Sequence, residues 1–184
     1  MAILAGDLAF AWADELMSEA TWLSLRAKRS NLNKKEIAAS SHMGGIPRND
    51  ISAWGLYQTM KEEVIYGQSL DVLSQFGQAV IPQNKINELK TAWYSVVRPL
   101  QIGAALAGGD QNHLNDLAAF GVPVGKLFQL KDDQMDGDVA ISVFASESER
   151  LMAQSQAALG KISMSEQSGQ LFGELITFVL MRTS

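Results

Sequence analysis

The sequence predicts an all-α fold, and three observations carry that expectation. Apolar residues recur at helical spacing through most of the chain, no stretch alternates apolar with polar residues as a half-buried strand does, and glycine and proline gather between the periodic runs. With 184 residues, 47% of them hydrophobic and 19% charged, the chain has the composition of a single folded domain over residues 1–184 with its own core. No internal repeat or low-complexity tract divides it.

A first helix is expected from about Ala2 to Lys28, where Leu4, Leu8, Ala11, Trp12, Leu16, Leu23 and Leu25 form a broad apolar surface. The basic run Arg26-Ala27-Lys28-Arg29 falls where cations offset the negative end of a helix dipole, and a solvated helix end explains it better than an anion site. Asn33-Lys34-Lys35-Glu36 reads as an N-cap with an acid three residues on, opening a short helix that ends in the Gly44-Gly45-Ile46-Pro47 loop. Asn49 or Asp50 then caps a long helix from about Ile51 to Gln75, with Ile51, Trp54, Met60, Val64, Val72 and Phe76 as apolar positions. Pro82 starts another, in which Ile86, Leu89, Trp93, Val96, Val97 and Leu100 recur. Pro99 lies inside that pattern and predicts a kink. Gly108-Gly109-Asp110 breaks the chain before a helix beginning near Asn112. Gly121 and Pro123 are expected to interrupt it, with Val124, Leu127, Phe128 and Met135 resuming the periodicity. Two closing helices are expected over Val143 to Leu159 and Ser163 to Met181, the second opened by Ser163-x-x-Glu166 as a capping box.

Composition narrows the function. Fifteen Lys and Arg against twenty Asp and Glu give a net charge of −5, which disfavours a general nucleic-acid binder because no basic excess replaces phosphate counterions. A local basic cluster or a metal ion can still reverse the field in one pocket, so anionic substrates remain open. With no cysteine, disulfides, thiolate zinc sites and cysteine nucleophiles are excluded together. The start of the chain lacks the basic region of a signal peptide, and the apolar stretch Pro99 to Gly109 is too short to span a bilayer. No membrane span and a cytoplasmic location are expected.

The sharpest local feature is Phe128-Gln129-Leu130-Lys131-Asp132-Asp133-Gln134-Met135-Asp136. Asp132 and Asp136 are four apart and share a helix face, where two carboxylates repel unless a cation neutralises them. Hard oxygen ligands with an open outer shell suit Mg²⁺, which keeps waters and borrows ligands from phosphates. Spacing alone fits a solvated acidic face as well, but the apolar run directly before the acids places them at the mouth of a core. Glu63, Gly67 and Asp71 form one stripe of the long helix, with Gln68 beside it. A glycine inside a helix is unfavourable by roughly 1 kcal/mol relative to Ala and marks close packing or a kink. Lys90-Thr91-Ala92 sits among apolar residues, where an ammonium needs an anionic ligand or a route to water along its stem. His42 and His113 have no ligand partners at metal spacing and read as surface residues. The tryptophans and methionines read as core, with Trp93 and Tyr94 possible exceptions beside Lys90.

Taken in order, Ala2-Ile3-Leu4-Ala5-Gly6-Asp7, Gly67-Gln68-x-x-Asp71, Lys90-Thr91-Ala92, Gly103-Ala104-x-Leu106-Ala107-Gly108 and Phe120-Gly121-x-x-x-Gly125-x-x-Phe128-Gln129-x-x-Asp132-Asp133-x-x-Asp136 resemble the trans-isoprenyl diphosphate synthases, the polyprenyl synthetases. The resemblance implies an all-helical bundle of the isoprenoid synthase type around a central cavity, a homodimer, and Mg²⁺ as cofactor. It implies head-to-tail condensation of isopentenyl diphosphate with an allylic diphosphate to geranyl, farnesyl, geranylgeranyl or longer products. By resemblance, Asp132, Asp133 and Asp136 are the metal-binding acids of the second aspartate-rich motif, with Asp132 in direct contact. Gln68 and Asp71 support the metal–diphosphate region, Gln68 on the substrate side. Lys90 contacts the allylic diphosphate with Thr91 nearby, and Phe128 and Gln129 line the pocket at the reacting carbons. Lys90, Gln129 and Asp132 are the residues expected to carry catalysis.

The match is incomplete. The family's first aspartate-rich motif and its isopentenyl diphosphate ligands precede the segment that Ala2 to Asp7 resembles, so the N-terminal part is expected to be missing. After the second motif, Gly137-Asp138 passes almost at once to Ser146-Glu147-Ser148-Glu149-Arg150, which resembles the family's C-terminal helices, so a second segment is expected to be missing there. Lys161 does not take over the role of the lysine lost with it. Three readings follow: a synthase lacking segments, a catalytically inactive partner subunit or fragment, and a helical scaffold without prenyl chemistry.

Overall fold

Seven α-helices and one π-helix account for most of the chain that the computed structural model describes, residues 12–20, 48–78 and 80–182. The expectations for Met1 to Asp7, for the basic run at 26–29, for the short helix after Asn33, for His42 and for the loop at 44–47 lie outside those residues. Helix α1 covers residues 12–20 and α2 runs from Arg48 to Gln75. Helix α3 (Gln83–Asn87) passes without a break into a π-helix, Glu88–Val97, and then into α4, Arg98–Leu106. Helices α5 (Gln111–Met135), α6 (Ile141–Leu159) and α7 (Glu166–Met181) follow. No strand occurs among the described residues, as the sequence predicts.

The helices stack in chain order. Helix α2 lies on the π-helix and α4, these lie on α5, and α5 lies on α6 and α7. The main core forms on the far side of α5, where Leu117, Phe120, Val124 and Leu127 meet Leu151 of α6, Ile162, and Ile176 and Val179 of α7. Phe120 packs against Phe172 with ring centroids 5.1 Å apart and tilted, a favourable aromatic arrangement. A smaller cluster of Ala53, Ala105 and Leu114 joins α2, α4 and α5. Two buried polar side chains are satisfied within the helices: Gln101 donates to the Leu114 carbonyl and accepts from Arg98, and Ser155 donates to the Leu151 carbonyl.

Several local expectations need correction. Pro99 does not end the helix; it stands in the first turn of α4, and Arg98 before it keeps helical angles of φ −65° and ψ −43°. A proline inside an α-helix clashes with the carbonyl four residues back and leaves it without a donor. Here the preceding stretch adopts the wider π register, with the Arg98 N–H donating to Trp93, five residues back, and the disturbance is absorbed there. Gly121 and Pro123 do not interrupt α5, which is continuous through both. An interior proline is unfavourable by about 3 kcal/mol, whereas full burial of a large apolar side chain contributes about 1.5–3 kcal/mol. Phe120, Val124 and Leu127, all completely buried, outweigh it together. Helix α7 is capped by Ser165, whose hydroxyl accepts from the Ser168 N–H, and not through Ser163. Asn49 and Asp50 lie inside the first turn of α2 and do not precede it. Trp12, Leu16, Val72 and Phe76, apolar positions of the expected helices, are exposed. Helix α2 instead buries the face carrying Ala53, Tyr57 and Gly67.

Glycine decides how closely the layers approach. A Cβ on Gly125 would stand 2.4 Å from the Cα of Ala92 and 2.6 Å from its Cβ, and one on Gly121 would stand 2.9 Å from Val97 Cγ2. Helix α5 and the π-helix therefore touch backbone to backbone along a seam four residues in period. The other face of the π-helix is met in the same way by Gly67 of α2, whose added Cβ would lie 3.0 Å from both Leu89 Cβ and Lys90 Cγ. Substituting Gly125→Ala is expected to destabilise the chain by about 1–3 kcal/mol through overpacking. The matched change Gly173→Ala, where nothing lies within 4 Å, is expected to be neutral or stabilising by about 0.5–1 kcal/mol. Thermal melts of the two variants followed by circular dichroism separate these outcomes, and a silent Gly125→Ala would refute the seam.

Candidate functional site

The stripe Glu63, Gly67 and Asp71 recurs every four residues, so all three face the same neighbours from α2. Glu63 takes a bidentate grip from Arg98 of α4, with Arg98 Nε donating at 2.9 Å and its terminal nitrogen at 2.6 Å. Arg98 also donates to Gln101 at 2.8 Å and lies over the Trp93 ring at 4.6 Å. A planar guanidinium with its fork filled on one side and a ring beneath it is rigid, which ties α4 to α2 at a set height. One turn on, Gly67 lets the π-helix approach, and Asp71 receives the Lys90 ammonium. The close approach at Gly67 is what puts Lys90 within reach of Asp71.

Neighbouring residues on a helix point in different directions, and here they serve two partners. Lys90 reaches back to α2, while the Thr91 hydroxyl reaches forward and donates to Gln129 Oε1 of α5 at 2.9 Å. The amide of Gln129 in turn donates to Asp133 Oδ1, one helical turn ahead, at 2.7 Å. Thr91, Gln129 and Asp133 thus form one directed relay, which sets the amide's orientation and leaves its carbonyl engaged with the hydroxyl. Beside it, α3, the π-helix, α5 and α6 enclose a cavity of about 280 Å³ lined in part by Glu88, Lys126, Gln129, Asp133 and Arg150. Lys126 and Glu88 bridge within it at 3.1 Å.

The adjoining face of α5 carries Phe128 and Asp132, and both are engaged by Arg182, just past the end of α7. The guanidinium pairs with the Asp132 carboxylate, donates to the Phe128 carbonyl at 3.2 Å, and lies 3.7 Å from the centre of the Phe128 ring. Sequence reasoning missed Arg182. An arginine closing a helix reads as a dipole-compensating cation, and nothing in local spacing shows that it reaches a residue fifty positions earlier. The structure therefore brings Asp71 together with Lys90, Thr91 with Gln129 and Asp133, and Phe128 with Asp132. Gln68 and Asp136 stand apart from these contacts. Gln68 is exposed in a shallow groove with Ile65, Ser69, Val72 and Leu73, and Asp136 is exposed at the C-terminus of α5.

Magnesium takes one or two protein carboxylates and completes its shell with water and phosphate oxygens. The acids at the end of α5 have that hard-oxygen chemistry. No three acidic or histidine side chains converge into a cage among the described residues, and one Asp132 oxygen is engaged by Arg182. The donor set fits an ion whose ligands are shared with a bound phosphate and does not form a self-contained metal site.

The hydrogen bond from Lys90 holds the Asp71 carboxyl below the ordinary carboxylate range, with the Lys90 charge adding to it against the opposing effect of burial. A carboxyl depressed on folding stabilises the native state above its unfolded pKa of about 3.9, and that stabilisation is lost as pH falls through the lower, folded value. Asp71→Asn is therefore expected to be less stable than the unmodified chain at pH 7, by a margin that shrinks as pH falls below about 3.9. Urea midpoints measured from pH 7 down into acid test this, and a difference that persists undiminished would contradict it.

Comparison with known proteins agrees with this architecture. A geranylgeranyl pyrophosphate synthase from Corynebacterium glutamicum, solved in complex with isoprenyl diphosphate and magnesium, superposes with a TM-score of 0.69 at 18% identity, covering 98% of this chain and 62% of that chain. A second structure from the same organism, assigned to the same enzyme class, superposes with a TM-score of 0.53 at 23% identity, covering 96% of this chain and 54% of that one. The chain thus spans between 54% and 62% of the length of these solved structures, and it shares their all-helical fold. Residues 1–142 match the family model described as polyprenyl synthetase. On that match, with the helical order and the aspartate-bearing helix α5 in place, the chain belongs to the polyprenyl synthetase family.

Proposed function

We propose that this chain carries the allylic-diphosphate side of a prenyltransferase of isoprenoid biosynthesis. The reaction is the head-to-tail condensation of isopentenyl diphosphate with an allylic diphosphate. The observation that supports this reading most directly is the set of contacts running from Asp71 through Lys90 and Thr91 to Gln129, flanked by Asp132 on the same helix. It offers an ammonium on the α2 side of the π-helix and, on the α5 side, an oriented amide with a carboxylate and an aromatic side chain on the same helix. Such a set suits a substrate with an anionic head and an apolar, cation-forming tail.

Each side chain has a task that its surroundings favour. Asp71 positions the Lys90 ammonium, which binds the departing diphosphate of the allylic substrate. Thr91 holds Gln129 so that its amide lies beside the reacting carbons, and Phe128 contributes an aromatic face toward the carbocation. Asp132, with Asp133 and Asp136 nearby, supplies carboxylate oxygens for a magnesium ion. When bound, Mg²⁺ supplies positive charge that stabilises the leaving diphosphate. The allylic carbon–oxygen bond breaks, the double bond of isopentenyl diphosphate forms the new carbon–carbon bond, and loss of a proton restores the alkene. The apolar body of α5 excludes water that would otherwise capture the cation. A homodimer in the cytoplasm is the setting we assign to it. Among the described residues no helix is long and apolar enough to cross a membrane.

A second reading, an inactive partner subunit, is favoured by one observation: the Asp132 carboxylate is engaged by Arg182. Incubation of the purified chain with Mg²⁺, isopentenyl diphosphate and allylic primers of increasing length, followed by product sizing, discriminates the two. Prenyl transfer that disappears in Asp132→Ala, with the helical spectrum retained, is expected for the enzyme. Lys90→Ala is expected to lower kcat/KM by roughly 10–100-fold, as for loss of a charge-assisted hydrogen bond. A chain that binds the primer and never turns it over supports the partner-subunit reading.

A further inference from the structure

The Arg182 side chain is only 11% exposed, yet it does not behave as an ordinary closing residue of a surface helix. One terminal nitrogen of its guanidinium both pairs with the Asp132 carboxylate and donates to the Phe128 carbonyl, and the group lies over the Phe128 ring. It engages one oxygen of the Asp132 carboxylate, so an ion drawing on that carboxylate meets a cation already in place. We propose that Arg182 is a built-in counter-cation for Asp132, so that a divalent ion and Arg182 compete for that carboxylate and ion loading requires the C-terminal turn to withdraw. This rests on the metal-binding reading of Asp132.

Three features make the pairing a latch and not a permanent tie. The contact is strong in kind, a charge-assisted pair with the arginine mostly removed from water. It is also incomplete, because Arg182 Nε is buried without a hydrogen-bond partner among the described residues, and an orphaned donor opposes the arrangement that buries it. Finally, the hinge is short. Helix α7 ends at Met181, and Arg182 already has extended backbone angles, φ −62° and ψ 143°, while its N–H still bonds the Phe178 carbonyl. Rotation about the side chain and release of that last turn suffice to clear Asp132. Asp136, one turn beyond Asp132, is exposed and requires no release.

Competition makes a prediction readable without any turnover. Binding of Mn²⁺, as a spectroscopic stand-in for Mg²⁺, is measured by electron paramagnetic resonance in the presence of inorganic pyrophosphate on the full chain, on Arg182→Gln, on Asp132→Asn and on the double variant. Arg182→Gln is expected to bind Mn²⁺ roughly tenfold more tightly than the unmodified chain, and the double variant is expected to lose that gain. Arg182→Lys, which keeps charge but not the planar fork, is expected to fall between the two. Hydrogen exchange at the Met181 and Arg182 amides is expected to speed up when Mn²⁺ is added to the unmodified chain. Circular dichroism confirms that each variant is folded, and the exchange measurement on the unmodified chain stands if one is not. Mn²⁺ binding that depends on Asp132 but is unchanged or weakened in Arg182→Gln overturns the latch while leaving the metal reading intact. Mn²⁺ binding that is indifferent to Asp132 in every variant overturns the metal reading and the latch with it.

Discussion

The backbone contact between α5 and the π-helix at Gly125 and Ala92 is the constraint on which the rest of the site depends. A hydrogen bond between short side chains such as Thr91 and Gln129 spans a narrow gap, and helices separated by ordinary side chains stand roughly 8–10 Å apart axis to axis. With no side chain on Gly125 and a single methyl on Ala92, the axes draw together. The relay from Thr91 to Asp133 follows from that proximity. On its other face the π-helix meets Gly67, which sets Lys90 against Asp71. One helix is thus gripped from both sides by glycines, and the two functional side chains it carries project into the two joints.

Two kinds of attachment hold this sandwich, and they differ in what they tolerate. The core around Phe120, Val124 and Leu127 is nondirectional, so it stabilises α5 without dictating the rotation of the helix about its axis. Rotation is dictated by directional contacts, chiefly the Arg98–Glu63 fork and the glycine seam. Such contacts permit few alternative geometries. Pro123 belongs to the first class: the buried residues around it carry a defect that would break an exposed helix.

The helical class, the break at Gly108 and the shared face of Glu63, Gly67 and Asp71 were legible in the sequence, because each depends on spacing within one segment. The contacts around Lys90 were half legible. Its position among apolar residues announced a need for a partner, while the identity of Asp71 as that partner depends on how α2 crosses the π-helix. Pro123 was misread as an interruption. Proline reports a local conflict, and neighbouring backbone or tertiary packing decides where the conflict is absorbed. Val72 and Phe76 show the converse limit. Apolar residues on α2 occupy more than one face, so periodicity alone does not say which face is buried. Arg182 was illegible, since its significance lies wholly in a contact between distant parts of the chain.

The π-helix has a consequence for how this part of the chain can change. In an α-helix each residue turns the chain by about 100°, so inserting or deleting one residue normally scrambles every face beyond it. A stretch already held in the wider register can absorb the loss of a residue by tightening, keeping the faces on either side in phase. Glu88–Val97 lies between the residues facing α2 and those leading into α4, and it works as a length adjuster between them. Lys90 and Thr91 sit within the adjuster, where the joints to α2 and α5 pin the backbone.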